Sequence, residues 1–151
     1  MKKSPKKLKY RKYFKTRIRK KDKIKIKKDR LDLGFAFLQV SNQGKLFRPE
    51  IEASRVSVSR MSRKRSRIWR YWQRLFTYCP VYKKTKGLRM GKGKGHLKDW
   101  YSPVKVGQLI FILSNKRNIQ RKGSMYLYYF KAFAKAWRKL SVDCDISLFK
   151  Y

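Results

Sequence analysis

Leu33-Gly-Phe-Ala-Phe-Leu-Gln-Val40 is where the chain changes character. Apart from Gln39 these residues are aromatic, aliphatic or small, and none is a cation, which predicts a strand and marks the opening of a globular body. Residues 1–30, before it, hold 17 of the 44 Lys and Arg against Asp22 and Asp29 alone. Tyr10, Tyr13, Phe14, Ile18, Ile24 and Ile26 interleave those cations at spacings too irregular for a long amphipathic helix. An extended basic arm over 1–30 that orders on its partner is therefore expected, followed by a single domain over 31–151.

A chain of 151 residues suits one domain and an appendage. The formal net charge is +36, and subtracting the +15 of residues 1–30 still leaves +21 on the body. Self-repulsion of that size serves no free globular protein, while 42% hydrophobic and 15% aromatic residues are too many for a disordered polycation. A folded core with this charge calls for a polyanion. Apolar runs such as Leu109 to Leu113 fall far short of the roughly 20 residues that cross a bilayer, so no membrane partner is expected. Cys79, Cys144 and the single His96 cannot supply a four-ligand zinc site, and neither metal nor cofactor is expected. Both cysteines read as reduced core thiols, although one disulfide between them is open. The N-terminus lacks the apolar stretch of a secretory signal; its basic composition superficially suits a mitochondrial presequence, but its many lysines argue against cleavage.

Along the body, Ser41 to Gly44 reads as a turn and Pro49 as the first residue of a helix, with Glu50 and Glu52 favourable at its positive end. Ile51, Ser54, Val58 and Met61 share one face of that helix, and Arg55, Arg60, Arg63 and Lys64 cover the rest. Arg67 to Gln73 predicts a strand with Trp69 in the core, and Tyr78 to Lys86 an excursion without periodicity. His96 to Tyr101 and Leu109 to Leu113 read as two strands joined around Pro103 to Gly107. Ser124 is placed to cap a last helix running to about Leu140, its apolar stripe being Leu127, Phe130, Phe133, Ala134, Trp137 and Leu140. Val142 to Phe149 closes as a strand. The expected fold is a two-layer α+β sandwich of a mainly antiparallel sheet and two helices.

Arg89-Met-Gly-Lys-Gly-Lys-Gly95 sets three glycines at alternate positions among cations, which suits a loop pushed into a phosphate-lined crevice. It matches neither G-x-x-x-x-G-K-[ST] nor G-x-G-x-x-G, since His96 stands where a third glycine would be, so nucleotide hydrolysis has no support. Catalysis fares no better, because Asp143 and Asp145, two residues apart on one face of the last strand, come with no histidine beside them and His96 has no nucleophile beside it. His96 reads as a phosphate or base contact. A free DNA-compacting protein is the alternative, since counterion release would bind this charge to any duplex. Arm, loop and aromatic residues together suit RNA of complex shape better.

Gly44-Lys-Leu-Phe-Arg-Pro-Glu-Ile-Glu-Ala-Ser-Arg55, Arg67-Ile-Trp69 and Arg89-Met-Gly-Lys-Gly-Lys-Gly95 resemble, in this order, the bacterial-type ribosomal protein L-sixteen family of the large subunit. Pro5-Lys-Lys-Leu-Lys-Tyr-Arg-Lys12 is similar to that family's basic arm. The resemblance implies a hammerhead-like α+β body and a structural, non-enzymatic role, binding large-subunit rRNA near the peptidyl transferase centre beside neighbouring ribosomal proteins. On that expectation rRNA is contacted by Lys6, Lys7, Lys9, Arg11, Lys12, Lys15 and Arg17 of the arm and by Arg48, Arg55, Arg60, Arg63, Lys64 and Arg67 of the body. Arg89, Met90, Gly91, Lys92, Gly93, Lys94, Gly95 and His96, within a loop at about 78–96, would face the acceptor arms of A-site and P-site tRNA. Family members usually read Gly-Lys-Ile-Trp and Pro-Asp-Lys-Pro where this chain has Ser66-Arg-Ile-Trp69 and Thr77-Tyr-Cys-Pro80, and their last helix is rich in alanine. Drift toward Lys, Tyr, Phe and Ile is what an A+T-rich organellar genome yields. A mitochondrial ribosome is expected, with the cytoplasm of a divergent bacterium as the alternative.

Overall fold

The first strand, β1 (Ala36–Val40), lies between β6 (Leu109–Asn115) and β7 (Cys144–Leu148), antiparallel to both. Its lack of polar alternation has a physical cause, because both faces are covered. Ala36, Leu38 and Val40 enter the main core with Phe111, Leu113, Phe133 and Ala136, while Phe37 packs with Leu109, Ile112 and Trp72 in a second cluster. β3 (Trp69–Gln73) adds to β6 and completes a four-stranded sheet in the order β3-β6-β1-β7. The structure, a computed structural model, describes residues 4, 5, 7–10, 12–14, 36–63, 69–91, 93–115 and 124–148. Residues 33–35 of the opening stretch lie outside them.

A second, three-stranded antiparallel sheet has the order β2-β5-β4, formed by β2 (Gly44–Phe47), β4 (Cys79–Lys83) and β5 (His96–Val104). The architecture is α+β with two helices and antiparallel sheets, as expected, but three details differ. Gly44 is no turn residue: it starts β2, where a Cβ would come within 2.6 Å of Val142 Cγ2. The excursion from Tyr78 is a strand, β4, whose Pro80 sits at the sheet edge and so costs no ladder bond needed elsewhere. The segments around His96 and Leu109 belong to different sheets and do not pair as a hairpin. Pro103 lies inside β5, beyond the end of β4, where only β2 runs alongside.

Helix α1 (Arg48–Arg63) starts one residue before Pro49. Glu50 Oε2 reaches back to accept the Phe47 N–H at 3.1 Å, half of a capping box, and also accepts the Ser141 hydroxyl at 3.0 Å. Ile51, Ser54 and Val58 are buried and Met61 half-buried, the face expected from spacing. Helix α2 (Ser124–Trp137) packs beside α1, and tight bonds from Lys139 to Ala136 and from Leu140 to Trp137 close its end. Its core face is Tyr129, Ala132, Phe133 and Ala136, so the expected stripe is corrected: Leu127, Phe130 and Trp137 are 61%, 52% and 40% exposed. Phe133 alone of the large residues in that stripe is fully buried, because Ala132 and Ala136 let the helix approach the sheet on their side. Cys79 and Cys144 are buried thiols with no disulfide between them. No described helix is long and apolar enough to cross a membrane.

Candidate nucleic-acid interface

β5 carries the chain from the surface into the core. Trp100, Tyr101, Ser102 and Val104 are buried, whereas His96, Leu97 and Lys98 are exposed. The inner part of the strand pairs with β2 and the outer part with β4, down to Lys83 opposite His96. Residues 84–91 and 93–95 therefore belong to the end of a hairpin whose two strands are anchored where buried Cys79 faces buried Tyr101. Gly95 allows the two strands to close at this point, since a Cβ there would stand 2.5 Å from the Lys83 carbonyl carbon and oxygen. Gly91 and Gly93 turn through φ of 97° and 75°, left-handed backbone that side chains with a Cβ rarely adopt.

Inside that bend is an open concavity of about 320 Å³, with Lys84, Arg89, Met90, Lys94 and His96 among its lining. Lys84 Nζ donates to the Gly91 carbonyl and ties one limb of the loop to its tip. Met90 is fully exposed and Leu88 59% exposed, so the loop presents apolar side chains beside its cations. Phosphate oxygens suit the cations, and flat apolar faces of nucleotides suit the thioether and leucine. No carboxylate or nucleophile lines this concavity among the described residues, and no described group of three His, Cys, Asp or Glu gathers to hold a metal.

The arm reaches the same place. Tyr13 N–H donates to the Tyr82 hydroxyl at 3.1 Å, and Lys94 Nζ donates to the Tyr13 carbonyl. Lys94 Nζ also stands 4.4 Å over the Tyr82 ring. Around Tyr13 the arm folds on itself, its phenol oxygen accepting the Lys9 N–H at 3.1 Å while Tyr10 meets its ring edge-on. Tyr82 and Lys84 are contributors that sequence reasoning passed over. The aromatic interleaving of the arm signalled Tyr13; Tyr82 and Lys84 were hidden in a segment whose pattern is irregular.

The other expected contacts are distributed over the molecule. Lys7, Lys9 and Lys12 are exposed on the arm, and Arg48 and Arg60 are exposed on α1. Arg55 is engaged within the fold: Nε and Nη2 donate to Glu52 at 2.9 and 2.7 Å and Nη1 to the Tyr71 hydroxyl at 3.2 Å. Those bonds, Glu52 first, hold its guanidinium charged well above the ordinary range, and two of its five N–H groups stay available for an outside acceptor. Lys6, Arg11, Lys15, Arg17, Lys64, Arg67 and Lys92 lie outside the described residues, as does the side chain of Arg63.

The family model described as ribosomal protein L16p/L10e matches residues 5–147. Relatives named large ribosomal subunit protein uL16 include that of a Sulfurihydrogenibium species, 36% identical over 73% of this chain and 75% of its own length. The one from Agrobacterium fabrum is 37% identical over 71% of this chain and 74% of its own. That from Leptospira biflexa is 27% identical but spans 85% of this chain and 89% of its own.

Proposed function

The chain belongs to the ribosomal protein L16p/L10e family, and from this premise we propose that it binds large-subunit rRNA near the peptidyl transferase centre and holds residues 84–96 toward the acceptor arms of tRNA. It is a structural constituent of the large ribosomal subunit, with rRNA and ribosomal proteins as partners, and not an enzyme. The observation that carries the tRNA reading is the hairpin end itself: a concavity lined by cations and exposed Met90, held out from the body on a strand whose other end is buried. Exposed Arg48 and Arg60, with the free N–H groups of Arg55, supply phosphate contacts that fix the body in register on rRNA. The cations of the arm add the same kind of anchorage.

We place the subunit in a mitochondrion, an assignment supported by the enrichment in Lys, Tyr, Phe and Ile; a bacterial cytoplasm is the alternative, and the relatives above are bacterial. Replacing Arg89, Lys92 and Lys94 together with Ala tests the loop. In subunits matched for occupancy, tRNA accommodation or peptide transfer slows while incorporation is retained. Wild-type tRNA binding and elongation by those subunits would sink the tRNA role and leave the loop as one more rRNA anchor.

A further inference from the structure

Arm and loop are both strongly cationic, so in the absence of a polyanion they repel each other, yet they meet. The groups through which they meet are neutral on one side of each contact. Tyr13 offers only its main chain, N–H to the Tyr82 hydroxyl and C=O to Lys94, and Tyr82 offers a hydroxyl and a ring face. One residue of the arm is thereby bonded to both limbs of the hairpin, through β4 at Tyr82 and through the approach to β5 at Lys94. Tyr82 sits beside the bulge in the β4–β5 pairing, between Val81 and Tyr82, where the hairpin ladder is locally interrupted. Lys94 differs from Arg89 in consequence: part of its hydrogen-bonding capacity is already committed to the arm.

We propose that Tyr82 is a positioning residue that joins the arm to the hairpin end, so that the arm sets the conformation of the loop and does more than add charge. The Tyr82 hydroxyl orders Tyr13, the ordered carbonyl of Tyr13 holds Lys94, and Lys94 adjoins the tip glycines. The functional consequence, that docking the arm on RNA presets the loop for tRNA, rests on the reading given above; the coupling itself does not.

Amide hydrogen exchange of the full chain tests the coupling without RNA. Tyr82→Phe keeps the ring under Lys94 and removes the hydroxyl. It raises exchange at the Tyr13 amide by about two- to tenfold, the range expected for one ordinary hydrogen bond, and raises exchange at Gly91 and Gly93 with it, while the amides of β6 are unchanged. Lys94→Met, a change at an exposed side chain, raises exchange at the Tyr13 amide although Lys94 does not bond to that amide. Loop exchange unmoved in Tyr82→Phe, a rise in β6 matching that in the loop, or a Tyr13 amide unmoved in Lys94→Met would each overturn the proposal. Coupled exchange together with wild-type elongation by the Ala triple variant would refute the tRNA reading and leave the coupling standing.

Discussion

Burial pushes the Cys144 thiol up to about 12 from its ordinary 9.0, with Asp143 and Asp145 adding to the effect, and its Sγ faces the Val142 carbonyl at 3.3 Å. Between about pH 9 and 12 the folded chain keeps a proton that the unfolded chain releases. Stability therefore falls as pH rises through that window, and below it this thiol contributes no slope. Denaturant unfolding of wild type and Cys144→Ala shows the difference: the wild type loses stability faster above about pH 9, and the two run parallel at about pH 7 to 8. Thiol labelling near neutral pH leaves Cys144 unmodified until the chain is unfolded. This much was legible beforehand, since an isolated cysteine in an apolar setting reads as a core thiol. The clash awaiting a Cβ at Gly95 was not, because it depends on how closely β4 approaches.

Helix α2 shows where pattern reading stops. Aromatic and aliphatic side chains surround it so completely that spacing offers more than one stripe, and the small residues Ala132 and Ala136 decide which side meets the sheet. Phe133→Ala costs about 3–5 kcal/mol in urea unfolding, the usual penalty for a fully buried aromatic. Phe130→Ser and Trp137→Ser cost no more than about 1 kcal/mol each, because both rings already face solvent for half or nearly half of their surface. Equal penalties at Phe133 and Phe130 would return the helix to the orientation that spacing suggested. Strand β4 escaped notice for a related reason: Pro80, Lys83 and Lys84 suppress the alternation that identifies a strand, and pairing with β5 supplies what propensity does not. The strand character of β5 and β6 was visible, but period carries no information about which partner a strand takes.

At the scale of the molecule, charge and core are separable. The core clusters lie within residues 36–146, and the described arm meets the body at Tyr82 and Lys94. Deleting residues 1–28 leaves cooperative thermal unfolding intact and weakens rRNA binding. The plot of log affinity against log salt becomes shallower by about 0.7–0.9 for each phosphate that the arm no longer neutralises, and residual binding persists because the body keeps its own large positive charge. A broad, non-cooperative transition would instead make the arm part of the core. Both helices, the strands β1, β3, β5, β6 and β7, and the Gly-Lys loop with its resemblance were readable in advance; β2, β4 and the division into two sheets were not, since they arise from how β5 pairs as it leaves the core. That departure also makes β5 a ruler. Its buried half is the fixed mark, and each residue advances the strand by about 3.3 Å. Two residues added to both β4 and β5 would carry residues 84–95 about 7 Å farther out with every side chain on its original face, whereas one residue added to each would turn the faces over. Reach, as distinct from affinity, is thus written into the number of rungs between Tyr101 and His96.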